Sequence, residues 1–325
     1  MRDFFFGFKG RAGKELARAA RAAAGHLTSP MIKPLLLAAR PKTLPAAIVP
    51  VWAGCVLAWK VTGQFSWLLA LATVTSALCI QIATNFFNDA IDEAKGADTA
   101  ARLGPTRVTA SGLLSRRTVY FLAGVFLLLA AVAAGPLIAA RGWVILAIGL
   151  PSLFLAYGYT GGPFPLAYRG LGELFVILFF GLIAVTGTVF VQTGLFLPQA
   201  LWLGLTVGCL SAVLITINNL RDVEEDSQSG KKTLAVRWGY EKAANLLRYE
   251  YLVAIVAFYL AQGKPGFADV FFVILILALP AIRVVSAVKE LGPSPELNGQ
   301  LAKAGIHLLV FALAWNLQAF FSRMG

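Results

Sequence analysis

The 325-residue chain predicts an all-α, polytopic membrane helix bundle of about nine transmembrane helices around a central cavity. Three observations carry that prediction. Hydrophobic residues make up 58% of the chain and mean hydropathy is +0.74, whereas soluble domains use roughly 45–50% apolar residues. Only 14% of residues are charged, and they cluster between long apolar runs. No segment alternates apolar and polar residues over the roughly ten positions that a barrel strand needs.

The first 34 residues read as a basic extension, and residues 35–325 as the intramembrane domain. In the extension an apolar tip precedes the basic residues, the reverse of secretory order. Arg11, Lys14, Arg18 and Arg21 recur at helical spacing among alanines, which suits an interfacial amphipathic helix on an anionic membrane face.

A helix crossing roughly 30 Å of hydrocarbon needs about 20 mostly apolar residues. The stretches that qualify are 43–59, 67–87, 118–140, 143–160, 172–193, 199–219, 246–262, 267–288 and 300–321. Pro41, Pro45 and Pro50 predict a kinked entry to the first. The fourth is short and runs into TGGPFP, a loop signal.

A net charge of +12 raises nucleic acid as a partner. The basic residues line the span ends instead of a soluble face, so they read as topology signals and lipid contacts, and nucleic acid is excluded. Of the 28 Lys and Arg, only Lys60, Arg141, Lys264 and Arg323 fall on one side of the predicted bundle. Positive-inside bias therefore places the N-terminus and the polar loops in the cytoplasm of a bacterial inner membrane, with the C-terminus outside. Cys55, Cys79 and Cys209 are scattered through apolar runs, and His26 and His307 stand apart. Neither a disulfide framework nor a Cys/His metal site is supported.

Two polar inserts break the pattern. NFFNDAIDEAKGAD, from Asn85 to Asp98, closes the second span, and NNLRDVEEDSQSGKKT, from Asn218 to Thr233, closes the sixth. Both face the same side. An unpaired carboxylate at a membrane edge is costly, so each insert requires a neutralising partner. At about 100° per residue Asn85, Asn88, Asp89 and Asp92 share one helix face, and Asn219, Asp222 and Asp226 fall within about 60° of one another. Oxygen donors without Cys or His suit hard cations. Mg2+ in particular binds one or two carboxylates together with water and phosphate oxygens. Two facing patches would hold metal ions around a diphosphate, complemented by Arg102, Arg107, Lys231, Lys232 and Arg237. One such loop alone would read as solvated or capping charge. A secondary transporter using the acids for ion coupling is the rival from another class.

At these residues the chain resembles the UbiA superfamily of intramembrane aromatic prenyltransferases, through Asn88-Asp89-x-x-Asp92 and Asp222-x-x-x-Asp226. The family pattern often adds an Asp where this chain has Gly96, leaving Asp98 or Asn85 to complete the set. ARPKTLPA (Ala39–Ala46), RLGPTRVTASGLLS, YTGGPFPLAYRGLGE (Tyr159–Glu173) and GKKTLAVRWG resemble the branch acting on 1,4-dihydroxy-2-naphthoate. The resemblance implies transfer of a polyprenyl chain from polyprenyl diphosphate to that naphthoate, with loss of CO2 and diphosphate, giving demethylmenaquinone. A related enzyme using 4-hydroxybenzoate or homogentisate is the alternative. Asn85, Asn88, Asp89, Asp92, Asn219, Asp222 and Asp226 would hold two Mg2+ ions. Lys232, Lys231, Arg237, Arg107 and Arg102 would hold the diphosphate, with Lys232 also catalytic. Arg40 and Lys42 are candidates for the aromatic carboxylate or the diphosphate, and Tyr157, Tyr159 and Tyr168 for the aromatic ring. Glu173 is either a helix-capping acid or the group that takes a ring hydroxyl's proton.

Overall fold

The computed structural model describes residues 32–97, 103–263 and 266–324. Arg102, Asp98, Lys264 and nearly all of the basic extension lie outside the described residues. The helices begin with α1 Ile32–Ala39, α2 Pro45–Thr62, α3 Trp67–Ala94, α4 Arg116–Ala133, α5 Gly135–Arg141 and α6 Trp143–Gly158. They continue with α7 Gly172–Thr193, α8 Pro198–Arg221, α9 Val223–Gln228 and α10 Leu234–Trp238. The last three are α11 Tyr240–Ala261, α12 Asp269–Leu291 and α13 Leu297–Met324. Among the described residues eight helices are long and apolar enough to cross a membrane, with α4 and α5 counted as one span, and α6 is a shorter apolar helix. Each predicted span meets one of these nine.

α8 runs through the centre because it is apolar all round. Its Leu203, Val207, Val213 and Ile217 gather with Leu247 and Phe258 of α11 and with Phe311 and Trp315 of α13. α3, by contrast, exposes Trp67, Leu68 and Leu71, as a lipid-facing helix should. Its inner face packs Phe86 and Ala90 against Val119 and Ala123 of α4 and against Val108 and Leu114 of the preceding loop.

Five local features differ from expectation. The third span breaks at Ala134, where Pro136 starts α5. α3 continues past residue 87 to Ala94, so the whole first motif is helical. The second insert is not one helix: α8 stops at Arg221, Asp222 caps it at φ −94° and ψ 11°, and α9 starts afresh. Stretches Ile177–Ile183 and Val273–Ala278 are π-helical, which no periodicity signals. The entry to α2 is broken instead of kinked. Arg40 adopts φ 51°, the only positive φ at a non-glycine position among the described residues, before a 3-10 turn at Pro41–Thr43.

Candidate active site

The last turns of α3 point four polar side chains at the turn before α2 and at three loops. Asn85 donates to Ala39 O at 2.9 Å and to Thr43 Oγ1 at 3.1 Å. It therefore anchors the strained turn at Arg40, whose carbonyl also accepts from Thr43 N at 2.9 Å. Asn88 accepts from the Thr160 hydroxyl. Asp89 is buried and tied to the loop before α4: Oδ2 accepts from Val108 N at 3.2 Å and Oδ1 from Thr109 N at 2.9 Å. Asp92 accepts from Tyr168 Oη at 2.9 Å, Arg107 Nη2 at 3.4 Å and Lys231 Nζ at 3.1 Å.

The end of a helix carries partial negative charge, so acids there need cations close by. Three surround Asp92. Besides Arg107 and Lys231, Lys95 caps Thr160 O at 2.9 Å with its ammonium 3.8 Å from the Tyr168 ring centroid. Burial pushes the Lys95 pKa below its ordinary value, while Asp92 pulls it part of the way back.

In the second motif the helix break separates what one helix would have aligned. Asn219 turns back into the bundle and donates to Glu173 Oε1 at 2.9 Å. Asp222 makes a two-pronged contact with its neighbour Arg221, at 2.7 Å from Nε and 2.6 Å from Nη2. Arg221 is itself held by Asn218 Oδ1 and by Asn298 Oδ1 of α13, each at 2.8 Å. Asp226, on α9, is buried and reaches Lys231 at 3.6 Å.

Lys231 therefore joins the two motifs, with one ammonium within reach of Asp92 and Asp226. Tyr168 lies beneath it, 5.3 Å from ring centroid to Nζ. Tyr159 completes the floor. Burial, then the charges of Glu173, Asp92 and Asp226, raise its phenol pKa, so it stays protonated. Below begins a cavity of about 1050 Å³, counting its open part, whose lining starts at Ala46, Gln81, Thr84 and Phe175. It extends between α2, α3, α6 and α7 to Leu137, Ile145 and Val191, and no charged residue lines it.

Not every predicted residue joins this centre. Lys42 and Lys232 are exposed, and Lys232 contributes its backbone N–H to Tyr168 O at 3.1 Å. Arg237 clamps loops together, reaching Lys232 O and Arg169 O at 3.0 Å each. Tyr157 packs edge-on to Phe87 and is 39% exposed. Arg102 lies outside the described residues. Sequence reasoning missed Lys95, Arg221 and the Val108–Thr109 amides; nearness along the chain, of Lys95 to Asp92 and of Arg221 to Asp222, is the signal for the two cations, and nothing signals the amides.

The donor set is entirely oxygen, and Asp92 and Asp226 flank one cation, which fits a hard divalent ion. Among the described residues no three His, Cys, Asp or Glu side chains converge as a ready-made cage. A divalent ion held here would draw much of its shell from water and phosphate oxygens.

Known proteins share this sequence and fold. Residues 47–296 match the UbiA prenyltransferase family. The 1,4-dihydroxy-2-naphthoate octaprenyltransferase of Bacillus subtilis is 35% identical over 77% of this chain and 79% of its own length. The Mycobacterium tuberculosis protein of the same name is 36% identical over 85% of this chain and 93% of its own. A UbiA homologue from Archaeoglobus fulgidus, solved bound to GPP and Mg2+, superposes with a TM-score of 0.65 at 17% identity. That alignment covers 89% of this chain and 99% of the archaeal one, and it shows a common fold.

Proposed function

The chain belongs to the UbiA prenyltransferase family of integral membrane proteins, and we propose a division of labour among its residues from that premise. It is a 1,4-dihydroxy-2-naphthoate polyprenyltransferase, joining a polyprenyl diphosphate to the naphthoate with release of CO2 and diphosphate. The observation that carries the reading is the single ammonium of Lys231 shared by Asp92 and Asp226, with an uncharged cavity whose Phe175 packs against Tyr159. A prenyl diphosphate has the same two parts, a charged head and an apolar tail.

Lys231 and Arg107 contact the head group, exchanging carboxylate partners for phosphate oxygens, and they neutralise charge building on the leaving group. Asp92 and Asp226 would hold the divalent metal, and Mg2+ bound there would supply further positive charge to the departing diphosphate. Asp89 and Asp222 hold the platform: the first fixes the loop that carries Arg107, the second fixes the α8–α9 break. Arg40, presented by the turn that Asn85 anchors, meets the naphthoate carboxylate. Glu173, buried and held by Asn219, accepts the proton of a ring hydroxyl.

The allylic C–O bond breaks with its electron pair leaving on diphosphate. The ring carbon bearing the carboxylate then bonds to the allylic carbon. Loss of CO2 returns the carbon–carbon electron pair to the ring, and Glu173 gives its proton back to the ring oxygen, giving demethylmenaquinone in its reduced, dihydroxy form. The mouth faces the cytoplasm of a bacterial inner membrane, with the N-terminus inside, on the distribution of Lys and Arg.

The test supplies carboxyl-labelled naphthoate, farnesyl diphosphate and Mg2+ to the purified chain. Labelled CO2 should appear in step with prenylated product. Label retained in that product would rule out the decarboxylating reaction, and absence of product would favour another acceptor.

A further inference from the structure

Three aromatic rings line the cavity, and all lie within one short stretch of α7: Phe175, Phe179 and Phe180. In an α-helix residues four apart share a face, but the fifth turns away. Here Ile177–Ile183 is π-helical, and its i→i+5 hydrogen bonding brings residues four and five apart onto one side. Phe179 and Phe180 therefore both reach the wall. Phe175 stacks on Phe179 with centroids 4.6 Å apart and meets Phe180 near edge-on at 6.5 Å. On its other side Phe175 lies 5.0 Å from Tyr159, at the floor of the acidic mouth. Close packing fixes the π turn: a Cβ at Gly181 would lie 2.3 Å from Gly204 O and 2.5 Å from Gly208 Cα of α8.

The position of these rings matters because of the reaction, so their role rests on the prenyl-transfer reading. When the allylic C–O bond breaks, positive charge spreads over the allyl carbons at the boundary between mouth and cavity. A carboxylate there would trap the cation as an ester, and water would trap it as an alcohol. The rest of the cavity wall is aliphatic, small or neutral polar. Ring faces attract a cation without bonding to it.

We infer that Phe175, Phe179 and Phe180, set side by side by the π turn, form a catalytic wall that stabilises the allylic cation between diphosphate loss and ring attack. Their chemical target is the delocalised carbocation, not the flat naphthoate.

The experiment replaces each phenylalanine in turn, in the full chain in nanodiscs, by mono-, di- and trifluorophenylalanine. Fluorine withdraws charge from the ring face and scarcely changes ring size. Single-turnover prenyl transfer from farnesyl diphosphate to the naphthoate is followed by rapid quench. For at least one of the three positions the logarithm of the rate should fall in proportion to fluorine count, reaching about 10- to 30-fold for trifluorination. The naphthoate KM should stay unchanged. Replacement by Leu at that position should slow transfer and raise the share of prenyl alcohol, and Trp should recover the rate. Rates flat across the fluorinated series at all three positions would overturn the wall, as would an effect confined to the naphthoate KM. An unsubstituted chain that forms no prenylated naphthoate would instead overturn the underlying function.

Discussion

Asp89 and Asp222 occupy matching places in the two motifs, each buried one step behind the shared Lys231, yet their partners differ. Asp89 is held by two backbone amides, neutral donors that order a loop. Asp222 is held by a guanidinium that is itself 1% exposed and tied to α8 and α13. The outer acids, Asp92 and Asp226, share one ammonium, and Asp92 also accepts from Tyr168 and Arg107. Two acids in each motif thus divide into a fixed one and one able to change partners. That division follows from burial chemistry: a carboxylate saturated by the scaffold is costly to redirect, whereas one facing a lysine exchanges that partner for a metal ion at little cost.

The comparison breaks most visibly through the outer pair. Asp92→Asn and Asp226→Asn should each lower kcat by about 10²–10³-fold or more, while the unfolding temperature in detergent moves little. Near-normal product from both purified variants would end the metal–diphosphate assignment. Rigorous chelation with EDTA should stop turnover of the parent chain, and added Mg2+ should restore it. Activity that survives complete chelation would count equally against it.

Lys231→Met sharpens the same contrast. Without its ammonium the two outer carboxylates lose the cation they share, although Arg107 stays beside Asp92, so the apo variant should unfold at a lower temperature. Because an ion bound only by the folded chain stabilises it, Mg2+ should raise that temperature more in Lys231→Met than in the parent. Turnover should remain depressed about 10²-fold, since the ion does not replace the lysine at the phosphate. An equal Mg2+ response in both chains would separate the acids from metal binding.

The inner pair should respond in stability. Asp222→Ala leaves Arg221 buried without its carboxylate, a loss of about 3–5 kcal/mol, nearer the lower figure because Asn218 and Asn298 remain. Asp89→Ala leaves two amides without that acceptor, but only the Val108 amide is buried, so the loss is about 1–3 kcal/mol. Thermal unfolding of both variants should show the larger shift for Asp222→Ala. Reversal of that order would mean that the loop amides, not the guanidinium, are the stronger hold.

Much of this division is invisible in the sequence, for identifiable reasons. Spans are legible because an apolar run of about 20 residues has few alternatives, and counting Lys and Arg puts both acidic inserts on one side. The face of α3 carrying Asn85, Asn88, Asp89 and Asp92 follows from helical spacing alone. Which partner each meets does not, because Thr109, Tyr168 and Lys231 arrive from distant loops. The second motif misleads further, since continuous-helix geometry extends through Asp222 on paper, where the backbone in fact turns. The π turn leaves no trace either: FVILFFGLI is apolar throughout, and periodicity cannot be read where polar residues are missing.

Adjacent lysines provide the smallest and most local test. Lys231 and Lys232 read alike in the sequence, where either suits the diphosphate. The fold turns them apart: Lys231 is 12% exposed and held between two aspartates, whereas Lys232 is exposed and secures the loop through its backbone. An exposed ammonium is well solvated, and a substitution away from buried partners usually changes little. Lys232→Ala should therefore keep its turnover within about twofold of the parent, measured beside Lys231→Ala under one donor concentration. A loss at Lys232 as deep as that at Lys231 would mean that the loop turns over on substrate binding and brings the second ammonium to the phosphates.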